Sequence, residues 1–133
     1  MSLPPRAGPM GREMAPQRPH RIIHLELHTG NLGRACSFYG PLLGWRPERV
    51  TTAGIPYLAL ELGNELGGGV VEQEADGSRW LPYVEVEDLR AVTGEAQRLG
   101  ARVLIDAREG PGGWRTVVET PDGAEIAFWQ LKR

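Results

Sequence analysis

This sequence predicts an α+β domain of two tandem βαβββ modules, and three observations predict it. Eight strand-like stretches, bounded by glycine, proline and other turn residues, lie between residue 21 and the C-terminus. Only two stretches carry an apolar stripe at helical spacing, and each directly follows an alternating strand. The two halves are also in step. Asn31-Leu32 and Asp88-Leu89 stand about 57 residues apart, and Leu43-Gly44 and Leu99-Gly100 about 56, the signature of a repeated unit.

The first module opens with "RIIHLELHT", where Ile23, Leu25 and Leu27 alternate with His24, Glu26 and His28, as in a strand with one buried face. "GNLGRACSFYGPLLG" follows as a helix, with Leu32, Ala35, Cys36, Tyr39, Leu42 and Leu43 on one stripe, Asn31 as N-cap and Gly44 as the C-terminal stop. Gly40 and Pro41 predict a distorted last turn. "WRPERVT", "IPYLALELG" and "ELGGGVVEQ" complete the module as three strands, and "EADGS" links it to the next. The second module repeats the order. "WLPYVEVED" is its first strand. "DLRAVTGEAQRLG" is its helix, capped by Asp88, with Leu89, Val92, Ala96 and Leu99 on one stripe. "ARVLIDA", "GWRTVVETP" and "AEIAFWQLK" are its last three strands.

A chain of 133 residues, 41% hydrophobic and 24% charged, suits one folded domain. Residues 1–20 hold five of the 11 prolines and no apolar run, so they read as a disordered leader ahead of a domain at residues 21–133, with modules at about 21–75 and 79–133. Four arginines and one glutamate fall within the first 21 residues, leaving the remainder acidic, which argues against a nucleic-acid partner. No segment predicts a membrane span. The one cysteine, Cys36, has no second thiol to pair with, which fits a cytoplasmic protein, and its place on the helical stripe makes it a small buried hydrophobe.

Strand alternation also sorts the candidate functional residues by face. If Leu25, Leu27, Val84, Val86, Ile126 and Phe128 pack on the helices, the other face carries His24, Glu26 and His28, then Leu81, Tyr83 and Glu85, then Glu125, Ala127 and Trp129. In a flat sheet such a face meets water; in a curved one it lines a cleft. Trp114 follows the glycine-rich "EGPGG", a loop able to close over a ligand, and Tyr57 is a further aromatic candidate. "LGGGVVE" lacks the phosphate-loop lysine and enters a strand rather than a helix, so a bulge or a close backbone approach explains it.

"IIHLELHTGNLGRACSFYGPLLGW", "WLPYVEVEDL" and "ETPDGAEIAFWQ" together resemble the vicinal oxygen chelate superfamily, which includes glyoxalase I, methylmalonyl-CoA epimerase, extradiol dioxygenases and the fosfomycin and bleomycin resistance proteins. The resemblance implies a curved, mostly antiparallel, glyoxalase-like sheet around a cleft, usually in a homodimer. It further implies that each module of a metal-dependent relative supplies one ligand from its first strand and one from its last. Here those positions correspond to His24 and Glu72 in the first module and to Leu81 and Ala127 in the second. Leu81 and Ala127 cannot bind a metal, and two ligands alone leave a weakly held ion. The expectation is therefore a metal-free protein that binds a small organic molecule, aromatic or cationic, through His24, Glu26, His28, Tyr57, Glu72, Tyr83, Glu85, Trp114, Glu125 and Trp129. The alternative is a lyase, epimerase or dioxygenase with Ni, Zn, Mn or Fe at His24 and Glu72, the metal acting as Lewis acid. Metal-free acid-base catalysis by the pocket glutamates and His28 is a third reading.

Overall fold

A computed structural model describes residues 20–52, 55–63, 66–74, 77–110 and 112–133, with the backbone alone at residues 51, 52 and 55–57. The assignment of residues 1–19 to a leader falls outside the described residues. The elements follow the duplicated order: β1 (Ile22–Thr29), α1 (Leu32–Leu43), β2 (Pro47–Thr52), β3 (Ile55–Glu61), β4 (Gly67–Glu72), then β5 (Arg79–Glu85), α2 (Leu89–Arg98), β6 (Arg102–Glu109), β7 (Gly113–Glu119) and β8 (Glu125–Leu131). They form one curved eight-stranded sheet in the order β2-β3-β4-β1-β5-β8-β7-β6, a palindrome about the β1–β5 pair. Within each module the first and last strands run parallel, β1 with β4 and β5 with β8, and every other pairing is antiparallel. Among the described residues no helix is long and apolar enough to cross a membrane.

Both helices begin where the sequence places their caps. The Asn31 side chain accepts from the Arg34 N–H at 2.9 Å and the Asp88 side chain from the Ala91 N–H at 3.0 Å, each satisfying one orphan donor of a first turn. Gly44 ends α1 with φ at +77°, a conformation glycine adopts without a Cβ clash. The buried stripes are narrower than the pattern suggests. Leu32, Ala35 and Tyr39 pack from α1 onto Leu27, Leu60 and Val70, together with Trp45 and Trp80, whereas Leu42 is 63% exposed and Leu43 is also exposed. Pro41 sits inside the helix just before these two leucines and removes a backbone donor from its last turn. On α2 the buried pair is Leu89 and Thr93, with the Thr93 hydroxyl donating to the Leu89 carbonyl at 2.8 Å, and Leu99 is exposed.

These contacts fix the two faces of the sheet. Leu27, Val70 and Trp80 look toward α1. A second core of Leu81, Tyr83, Val117 and Ala127, edged by Ile23, Ile105 and Trp129, occupies the concave side. That side is the face the alternation pattern assigns to the cleft.

Candidate functional site

The centre of the concave face is the seam between the modules. In the antiparallel β1–β5 pairing His24 lies opposite Tyr83 and Glu26 opposite Leu81. Glu26 is only 6% exposed, and a carboxylate so placed is stable only if its oxygens find donors. They do. Tyr83 Oη donates to Glu26 Oε1 at 3.0 Å, His28 Nε2 lies 2.8 Å from the same oxygen, and His24 Nε2 lies 3.7 Å from Oε2. The bond to Glu26 puts the His28 proton on Nε2, while its Nδ1 is buried with no partner among the described residues. The His24 ring meets Tyr83 edge-on at 5.0 Å, and its Nδ1 lies so close to Gly67 that a Cβ there would stand 3.0 Å away.

A second polar link extends this cluster across the sheet. Arg115 Nη1 donates to Tyr83 Oη at 2.8 Å, so the phenol accepts from a guanidinium and donates to a carboxylate. Burial pushes the Glu26 carboxyl up, but the bonds from His24 and His28, the charge His28 can carry and the bond from Tyr83 outweigh it and hold Glu26 well below the usual carboxylate range. Tyr83 moves the other way: burial, then the Glu26 charge, push its phenol up to about 12 against the opposing pull of Arg115. Glu26 is therefore an anion and Tyr83 a neutral donor throughout the physiological range.

Trp129 walls the cluster on β8, beside Arg115 in register. Its indole lies over Gly112 and Gly113, and a Cβ at Gly113 would stand 2.8 Å from the ring and 2.2 Å from the Gln130 carbonyl oxygen. Only glycine leaves room for that ring and that strand pairing.

Other predicted site residues lie elsewhere. Glu72 shares the α1-facing side of β4 with Val70, and its Oε2 accepts from the Leu32 N–H at 3.1 Å, so it secures the start of α1 instead of facing the cleft. One residue of parity separates the two outcomes. Trp114 is on the outer face as well, in a groove of about 680 Å³ between α2 and the sheet that Leu89, Thr93, Asp106 and Gln130 also line, with Lys132 Nζ 5.5 Å from its ring centroid. It does not close over the concave face. Glu125 is on the concave side but ion-paired with Arg79 at 3.2 Å. Glu85 pairs in register with Trp129 and is half-buried. The Tyr57 side chain lies outside the described residues.

The register also tests whether the implied metal fits. Glu26 and Tyr83 are equivalent positions of the two modules; Gly69 lies beside the first and Ala127 beside the second. The last-strand counterpart of Ala127 is thus Gly69, not Glu72. Of the four corresponding positions, His24, Gly69, Leu81 and Ala127, one carries a donor side chain, and Leu81 and Ala127 are 2% and 0% exposed. Among the described residues no group of three or more His, Cys, Asp or Glu is placed to hold an ion, so the donor set does not fit the metal.

Pattern reading missed Arg115 and Arg108. The signal for Arg115 was present in "GWRTVVE", where Arg115 alternates with Thr116 and Val118 and so shares the face of Val117. Arg108 carried no such signal, because β6 is bulged.

The described geometry has counterparts among solved structures. Methylmalonyl-CoA epimerase from Mycobacterium tuberculosis superimposes with a TM-score of 0.64 at 17% identity, over 92% of this chain and 95% of that one. A hypothetical protein from Bacillus halodurans C-125 gives 0.63 at 14% identity, over 87% and 97%. Methylmalonyl-CoA epimerase from Streptomyces coelicolor, in complex with 2-nitronate-propionyl-CoA, gives 0.58 at 17% identity, over 85% and 98%. No protein of curated function matches the chain. The family described as "Glyoxalase-like domain" matches residues 22–129, almost the whole of the two modules. The chain belongs to this glyoxalase-like domain family, within the vicinal oxygen chelate superfamily.

Proposed function

We propose that this protein binds a small organic molecule on the concave face of its sheet without a resident divalent ion. The observation that carries the reading is the replacement of donor groups at the ligand positions: Leu81 and Ala127 are buried in an apolar core and Gly69 has no side chain. Glu26, the carboxylate nearest His24, already serves Tyr83 and His28. The half-buried Ile105 and Trp129, backed by the buried Leu81, Val117 and Ala127, suit a flat ligand better than a hydrated ion.

The titration of Glu26 and Tyr83 suits these two groups to binding better than to proton transfer. A general acid or base works best with its pKa near the operating pH, and Glu26 is held far below it while Tyr83 is held at about 12. The proposal includes a homodimer in the cytoplasm, supported by the exposed Phe38 and Leu42 on α1 and by the single cysteine. Sedimentation velocity checks the dimer.

Elemental analysis of the purified protein, with calorimetric titration of Ni²⁺, Zn²⁺, Mn²⁺ and Fe²⁺, tests the absence of a metal. No stoichiometric ion and only weak binding are expected. Micromolar binding abolished by His24→Ala would establish the metal-dependent lyase, epimerase or dioxygenase reading instead.

A further inference from the structure

The charge of the ligand can be read from what the concave face leaves unpaired. Most of the glutamates that make the sequence look suited to a cation are hydrogen-bonded, ion-paired or turned away in the fold. Glu26 takes bonds from Tyr83 and His28, Glu125 pairs with Arg79 and Glu72 turns to the outer face, while Glu85 stays half-buried on the concave side beside Trp129. Arg115 is in the opposite position. Among the described residues it is the only arginine that is not exposed, it has no carboxylate within ion-pair distance, and its side chain donates to a neutral phenol. A half-buried guanidinium has five N–H donors to satisfy, and one bond to Tyr83 leaves most of them available.

A second, independent feature brings another cation to it. Along β6 the pairing with β7 slips twice, so that Ile105 faces Val117 and Arg108 faces Arg115. Regular alternation would place Ile105 and Arg108 on opposite faces; the extra residue between them puts both on the concave side. The bulge holds Ala107 at φ +45°, in the left-handed region that alanine rarely adopts, and pins it by a bond from its N–H to Thr116 Oγ1 at 2.9 Å. Like charges directly opposite on a sheet are destabilising, and here backbone strain is retained in the very turn that sets them opposite.

We propose that Arg115, with Arg108 opposite and Trp129 beside it, is the subsite for the carboxylate of a flat organic anion. This rests on the concave-face reading and names its ligand class. The planar guanidinium matches a carboxylate, and the indole offers a face to the attached ring. Glu26 lies behind Tyr83 and Glu85 stands beside Trp129 in register, so the two arginines meet a ligand on a face whose wider charge is nearly balanced, which suits a monoanion better than a dianion.

The test uses three probes of one shape: a naphthalene carboxylate, the matching naphthylmethyl ammonium and the naphthyl carbinol, titrated calorimetrically into the full chain. The carboxylate is expected to bind about tenfold or more tighter than either of the others, as one charge-assisted contact implies. Arg115→Met should reduce it to the level of the carbinol, Arg115→Lys should restore part of the difference, and Arg108→Ala should weaken it by a few-fold. Melting curves of each variant show that it is folded, and if Arg115→Met is not, the lysine variant and Arg108→Ala decide. Equal or tighter binding of the ammonium or carbinol, or a carboxylate affinity unmoved by both Arg115 variants, overturns the carboxylate subsite while leaving the concave-face reading standing. Failure of all three probes to bind folded protein overturns both.

Discussion

Glu26 is the residue on which the concave face depends, because it turns five polar side chains into one connected network. Its carboxyl titrates below its ordinary value of 4.5 in the folded chain and near that value in the unfolded one. The stabilisation this gives is fully present above the unfolded value and is lost as pH falls toward the folded one. Acid unfolding of the native protein should therefore steepen below about pH 4.5. Glu26→Gln should flatten that limb and lower stability at neutral pH by about 1–3 kcal/mol, since charge-assisted bonds become neutral ones. Thermal melts across the acid range check both effects. Tyr83 gives the converse case. Its folded value of about 12 stands above the ordinary 10.0, so its contribution is intact below 10.0 and disappears as pH rises toward 12. Subtracting the phenolate absorbance titration of Tyr83→Phe from that of the native protein should isolate one phenol titrating near 12.

At the scale of elements, regular alternation made much of this site legible in advance, and breaks in alternation hid the rest. β1 and β8 run without interruption past the central residues, so His24, Glu26, His28 and Trp129 fall on the face their spacing predicts. The caps Asn31 and Asp88 were equally readable, because capping chemistry is local. Glu72 was misplaced because the glycine run before it gives no apolar rhythm from which to count parity. Its place on the outer face makes a direct prediction. Glu72→Gln should cost about 0.3–1 kcal/mol in stability, the usual value of a carboxylate at a helix start, and leave ligand affinity unchanged. Denaturant melts and calorimetry together separate that outcome from a ligand role. In β6 the consecutive apolar residues Val103, Leu104 and Ile105 give no parity to count from, and two register slips bring Arg102, Ile105 and Arg108 to one face. No local rule announced them, because a bulge at alanine violates the preference for glycine at positive φ. Ala107→Gly should relieve a backbone penalty of about 1–2 kcal/mol against an added entropic penalty of about 0.5–1 kcal/mol, a net gain of roughly 0.5 kcal/mol in denaturant melts.

At the scale of the whole molecule, the duplicated fold sets four equivalent positions around one seam, and this chain has filled them asymmetrically. The first module contributes His24 and Gly69; the second contributes Leu81 and Ala127. The parallel pairings β1–β4 and β5–β8 bring first and last strands together in each module, yet three of the four positions they set around the seam carry no donor side chain. Linkage turns this into a sharp thermal test. An ion held with micromolar affinity would, at millimolar concentration, stabilise the folded state by about 4 kcal/mol, raising the melting temperature of a domain of this size by roughly 15 °C or more. With one donor among the four positions, 1 mM Zn²⁺, Ni²⁺ or Mn²⁺ should shift the melt by about 1 °C at most. Introducing donors at the two core positions, Leu81→His with Ala127→Glu, should move the response toward the larger value. Two buried polar groups without an ion lower stability by a few kcal/mol, so the double variant should melt well below the native protein alone and recover when the ion is added. A metal-dependent recovery would show that the seam retains the geometry of a binding centre and that these side chains alone decide what it holds.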